Sequence, residues 1–132
     1  MREIKFRGFN RKNNVWLYGF YMQKRGAHFI CPDEIVIGKT VEDYEIDPKT
    51  LGQYLGHRDD CDFYEGDIVE DEFGQRYAIE WLEDEYSFCL YDDKIGYTTM
   101  DESWLTVIGN IFDNPDKLCP QLHLSERLLF EE

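Results

Sequence analysis

From Phe63 to Phe112 the chain is cut at short, even intervals by turn residues, and this spacing constrains the fold more than any other feature. The apolar runs Ile68-Val69, Tyr77–Trp81, Tyr86–Tyr91, Tyr97–Met100 and Trp104–Phe112 are separated by polar stretches such as Asp71-Glu72-Phe73-Gly74-Gln75, Leu82–Glu85 and Asp92–Gly96. Within the runs, Tyr77, Ile79 and Trp81 share one parity, as do Tyr86, Phe88 and Leu90. Apolar residues at period two between tight turns describe half-buried strands, whereas a helix needs a longer run at a period near 3.6. Five such strands predict a small SH3-like β-barrel. Gly109-Asn110 reads as a bulge in the last of them.

The N-terminal third also alternates, with a different character. Ile4-Lys5-Phe6-Arg7-Gly8 predicts a strand with Ile4 and Phe6 inward and Lys5 and Arg7 outward. Arg11–Asn14 and Lys24-Arg25-Gly26 read as turns, around a strand Val15–Met22 that is apolar on both faces, with Ala27–Cys31 returning. Gly19 marks a bulge or a close backbone approach. Ile35–Ile37 and Val41–Ile46 favour strand, and Asp47-Pro48 initiates a turn or single helical turn. Next come a strand Thr50–Leu55, a charged loop Arg58–Asp62 and the tight turn Glu65-Gly66-Asp67. Asn114-Pro115 caps a helical turn, and Ser125–Glu132 is a candidate short helix. The expected organisation is one all-β domain over 1–132: an N-terminal β-hairpin meander (1–47) joined to the SH3-like part (48–115), then a tail (116–132) with short helical turns.

Charge and cysteine content narrow the function classes. The net charge is −14, divided unevenly: residues 1–31 hold seven Lys/Arg and one acid, and the remainder seven Lys/Arg and 27 acids. So acidic a chain is a poor direct binder of nucleic acid, although its surface could imitate a nucleic acid towards a basic protein. No run is long and apolar enough for a membrane span and no signal-type segment follows Met1, so a cytoplasmic location is expected. Cys31, Cys61, Cys89 and Cys119 form no C-x-x-C pair, which removes the strongest zinc signature and leaves them as free thiols, with Cys89 in the core.

Four pieces occur in order: Ile4-Lys5-Phe6-Arg7-Gly8; Trp16-Leu17-Tyr18-Gly19; Asp47 through Thr50, Gly52, Gln53, Tyr54 and Gly56 to Tyr64-Glu65-Gly66-Asp67-Ile68-Val69; and Ile108-Gly109-Asn110-Ile111-Phe112-Asp113-Asn114-Pro115. In this respect the chain resembles the YopX family of phage and prophage proteins. It departs from the family pattern at Leu55, where Thr is usual, and in the loop His57–Asp62, which lacks the usual Gly. The resemblance implies an all-β fold with an SH3-like part and an origin in a mobile element; it brings no catalytic mechanism and no cofactor.

Two kinds of residue remain as functional candidates. The carboxylates between Asp59 and Asp67 invite a metal- or ligand-dependent enzyme as an alternative reading. As a calcium loop starting at Asp60, however, the sequence has Glu65 where Gly is required and Asp71 where a bidentate Glu is usual. Glu65 and Asp67 then serve as acceptors for turn N–H groups. No P-loop, G-x-S-x-G or G-x-G-x-x-G occurs. The aromatic residues Trp16 and Tyr18 in the N-terminal strand, with Tyr54, Tyr64 and Asp67 around the central loop, are the candidate interaction residues. The expectation is a non-catalytic, acidic protein–protein interaction module without a cofactor. Its partner is a host or phage protein, and a homo-oligomer is left open.

Overall fold

The computed structural model describes residues 3–33, 36–58, 60–99 and 104–118. The strands form two antiparallel sheets, and the only helical elements among the described residues are short 3-10 turns. The chain divides between Gly56 and His57 into two compact units, later than the Asp47 boundary read from the sequence.

The first unit contains β1 (Phe6–Asn10), β2 (Val15–Lys24), β3 (Ala27–Cys31) and most of β4 (Asp47–Arg58), arranged β3-β2-β1-β4. Asn14, Arg25 and Gly26 take positive φ in the two hairpin turns, as their turn positions require. Gly19 is the close approach expected of it, because a Cβ there would collide with the carbonyl oxygen of Cys31. Ile30, Ile46 and Phe29 are buried, and each such side chain contributes about 1.5–3 kcal/mol.

Three local expectations are corrected. Arg7 is buried and Ile4 is exposed, the reverse of the alternation reading. The Arg7 guanidinium lies over the Trp16 ring at 5.0 Å, so its stem and charge are accommodated against an aromatic face. Val41–Tyr44 is a 3-10 turn rather than a strand, because Asp43 accepts a hydrogen bond from the Thr40 N–H (2.8 Å) at the turn's start. Of the Ile35–Ile37 strand, Ile35 lies outside the described residues and Ile37 sits in a turn.

Asp47-Pro48, expected to initiate a turn or single helical turn, lies instead at the start of β4. The register between β1 and β4 jumps from Arg7↔Gly52 to Phe9↔Asp47, so the residues around Pro48 bulge from the ladder. The Phe9 N–H, which loses a backbone partner there, donates to the Thr50 hydroxyl at 2.8 Å, and that hydroxyl donates to the Asp47 carbonyl at 2.6 Å.

The second unit contains β5 (Cys61–Tyr64), β6 (Asp67–Asp71), β7 (Arg76–Leu82), β8 (Ser87–Asp92), β9 (Gly96–Thr99) and β10 (Leu105–Asn110), followed by a 3-10 turn Pro115–Lys117. Its sheet runs β10-β6-β7-β8-β9. It is an open sheet with β10 and β9 at its edges, in place of the closed SH3-like barrel expected from strand spacing. Ile68, Val69, Ile79, Leu90 and Leu105 are buried in it, as is Cys89. The bulge expected at Gly109-Asn110 is present as a register shift between Val107 and Gly109. Tyr86 leaves the strand assigned to it and adopts αL (φ 50°), ending the 3-10 turn Glu83–Glu85. The candidate helix Ser125–Glu132 and Cys119 lie outside the described residues.

Because Gly19 faces a carbonyl oxygen, Gly19→Ala is expected to destabilise the protein by about 1–3 kcal/mol in urea unfolding. An unchanged midpoint would remove the close approach as a constraint.

Candidate functional site

The strongest polar construction in the first unit is built on Asn10, which sequence reasoning passed over. Its side chain is 1% exposed at the end of β1. The Nδ2 group faces three backbone carbonyls: Glu42 at 3.2 Å, Asp43 at 3.1 Å and Glu45 at 2.7 Å. Its Oδ1 accepts from the Asn13 N–H at 2.7 Å. One amide thus holds the 3-10 turn against the β1–β2 hairpin. The available signal was the tract Asn10-Arg11-Lys12-Asn13-Asn14, which reads only as a turn until Val41–Glu45 is brought beside it.

Charges complete the network. The Asp43 carboxylate accepts from Asn13 Nδ2 at 2.9 Å and from the Thr40 N–H, with Lys12 Nζ at 3.1 Å, and these interactions hold it far below the usual carboxylate range. Asp47 is lowered chiefly by hydrogen bonds from Arg11, whose Nε lies at 3.1 Å, and then by the Lys49 N–H at 3.0 Å. A cleft of about 630 Å³ opens beside this network, lined by Asn10–Lys12, Glu42 and Glu45–Pro48. Arg11 and Lys12 in its wall pair with Asp47 and Asp43, and no nucleophile stands beside a base there. The arrangement fastens the hairpin.

The sequence-derived candidates separate by exposure. Trp16 is half-buried, its ring edge-on to Phe9 at 5.4 Å and beneath Arg7. Tyr18 is 49% exposed and begins a row of alternate residues on β2, continued by Phe20 (60%) and Met22 (46%). Tyr54, Tyr64 and Asp67 are buried. The Lys5 ammonium sits 4.5 Å from the centre of the Tyr54 ring. Asp67 Oδ2 accepts from the Tyr64 N–H at 2.8 Å, the turn-bonding role expected from Glu65-Gly66-Asp67.

The carboxylate-rich loop does not converge on one point. Asp62 Oδ1 lies 2.9 Å from His57 Nδ1, while Asp67 turns inward to the backbone; Asp59 lies outside the described residues. Among the described residues no group of three or more His, Cys, Asp or Glu side chains is placed to hold a metal ion. No helix among them is long and apolar enough to cross a membrane.

A second cluster lies on one face of β7, β8 and β9. The rung Ala78↔Tyr91↔Tyr97 is followed by Glu80↔Cys89↔Thr99, which sets Glu80, Tyr91 and Tyr97 on the same face. The two tyrosine rings are 4.8 Å apart and tilted by 49°. Burial, together with the negative charge of Asp93, raises the Glu80 carboxyl above its usual value. A hydrogen bond to Asp93 raises the Tyr91 phenol in the same way. Neither Glu80 nor Asp93 meets a Lys or Arg side chain among the described residues.

Two outcomes follow from the Asn10 network. Asn10→Ala removes the amide that donates to the part-buried carbonyls of Glu42, Asp43 and Glu45 and should cost about 1–3 kcal/mol, read by urea unfolding. Asp43 and Asp47 have folded pKa values below the unfolded value of about 3.9, so their contribution is present above that pH and is lost as pH falls through the folded values. The melting temperature should therefore drop below about pH 4, and Asp43→Asn should flatten that acid limb. An acid limb identical in Asp43→Asn would show that the carboxylate does not carry it.

Compared with curated proteins, the chain finds no match. The family model described as YopX protein matches residues 5–119, most of the chain and all four of the sequence pieces that carry the resemblance, apart from Ile4 at the start of the first. The chain belongs to the YopX protein family.

Proposed function

We propose that the protein is a non-catalytic accessory of a phage or prophage, acting in the bacterial cytoplasm by binding another protein through the acidic surface of its second unit. The observation that carries this reading is the distribution of charge. Residues 57–132 hold five Lys/Arg and 21 acids, a net of −16, while residues 1–56 hold nine Lys/Arg and seven acids. In the first unit the described acids at Asp43 and Asp47 are tied to Lys12 and Arg11. The second unit offers far fewer cations, and its field favours a basic partner and steers its approach.

Exposed rings at the second unit's turns and edges, Phe73, Tyr86 and Trp104, supply the apolar contact that a charged rim lacks. The order β10-β6-β7-β8-β9 supports an SH3-like derivation for this unit, a small sheet whose loops and edges are free to carry recognition. The non-catalytic reading is supported by Asp62 engaging His57 and Asp67 facing inward, which leaves these two carboxylates of the loop unpaired with one another.

The test is affinity capture from a natural host, followed by titration of the purified captured protein against this chain. A stoichiometric complex whose affinity falls steeply between about 0.05 and 0.5 M salt is expected. No partner surviving purification, or an affinity indifferent to salt, would overturn the reading.

A further inference from the structure

We propose that the outer edge of β9, with the adjoining Glu80–Tyr91–Tyr97 face, receives an extended Lys- or Arg-bearing peptide segment of a partner protein, added to the sheet as a further strand. This deepens the protein-binding reading and rests on it.

The backbone supplies the first argument. β9 closes the order β10-β6-β7-β8-β9, so among the described residues no strand pairs with its outer side. Sheet edges are commonly blunted by charges, proline or a bulge. β9 is Gly96-Tyr97-Thr98-Thr99, without a charge or proline, and four consecutive rungs to β8 run without a shift. Tyr and Thr favour extended backbone, which keeps the outer N–H and C=O groups in line for an incoming strand.

The side chains supply the second. A strand added beside β9 places every other side chain on the face that carries Tyr97, which is 49% exposed, and beyond it Tyr91 and Glu80. The tyrosine rings lie 4.8 Å apart with the carboxylates of Glu80 and Asp93 close by, and no Lys or Arg among the described residues contributes to the electrostatics of Glu80 or Tyr91. A Lys or Arg stem packs on Tyr97 while its head reaches the carboxylates, combining cation–π attraction with charge pairing. An acidic peptide meets repulsion from the same groups and from a unit of net charge −16, counting five Lys/Arg against 21 acids over residues 57–132. The edge thus selects for sign of charge as well as extended shape.

The experiment uses the full chain and two fluorescein-labelled octapeptides, one alternating Lys with Thr and one alternating Glu with Thr. Fluorescence polarisation reads binding, and hydrogen exchange reads the amides of Gly96–Thr99. The Lys–Thr peptide should bind, the Glu–Thr peptide should not, and the β9 amides should exchange about tenfold more slowly in the complex. Glu80→Gln combined with Asp93→Asn should weaken binding about tenfold with an unchanged far-UV spectrum. Should the double variant fail to fold, Tyr97→Ala at the exposed edge tests the same contact and should also weaken binding. No binding of the Lys–Thr peptide, no protection at 96–99, or indifference to these substitutions would overturn the proposal. A captured partner that binds without protecting β9 would overturn this surface and leave the broader reading standing, whereas the absence of any partner would overturn the broader reading and this surface with it.

Discussion

The first unit depends on one side-chain amide. Backbone groups in strands satisfy each other, but the segment Val41–Glu45 is irregular apart from its bridge Phe29↔Glu45, and its carbonyls at Glu42, Asp43 and Glu45 turn to a side chain. Asn10 provides those donors from a regular strand, and its own oxygen closes the β1–β2 turn through Asn13. The ion pairs Arg11–Asp47 and Lys12–Asp43 lie outside this clamp and are exposed to screening, so they tune its pH response more than they supply its strength. Removing the clamp strands several groups together, and the energetics belong to the network as a whole.

The two units handle charge differently. In the first, two of the seven N-terminal cations, Arg11 and Lys12 of the β1–β2 turn, meet acids from the segment that folds beside them. In the second, Arg76 pairs with Glu70 and Asp92 accepts from Gln75, while Glu80 is partly buried and feels the like charge of Asp93. Like charges held near one another on a folded surface work against the compact state.

The all-β class, both N-terminal hairpins, the Glu65–Asp67 turn and the Gly109 bulge were legible because each rests on local rules: period-two alternation and turn residues. What was missed depends on contacts distant in sequence. Val41–Tyr44 has strand-forming residues, yet the capping interaction of Thr40 with Asp43 and the reach of Asn10 hold it as a turn. Asp47-Pro48 reads as the start of a turn when the fixed φ of proline is weighed without the Thr50 hydroxyl that repairs the ladder. Barrel closure is a property of strand tilt and register, which spacing does not encode. Tyr54 and Tyr64 were candidates for a surface, and burial puts both inside, since a sequence gives the size of a ring but not its side. Glu80 and Asp93 were invisible among 28 acids until strand register set Glu80 beside Tyr91.

The bare edge of β9 also bears on how the molecule behaves among copies of itself. An edge without proline, charge or bulge is open to pairing with its twin, which is the first step of edge-to-edge aggregation. Here the guard stands beside the strand instead of on it. The crowded carboxylates keep two like edges apart for as long as they are ionised and unscreened. Colloidal stability of this edge is therefore set by acids that lie off the strand, and a protonation or counterion that quiets them loosens it.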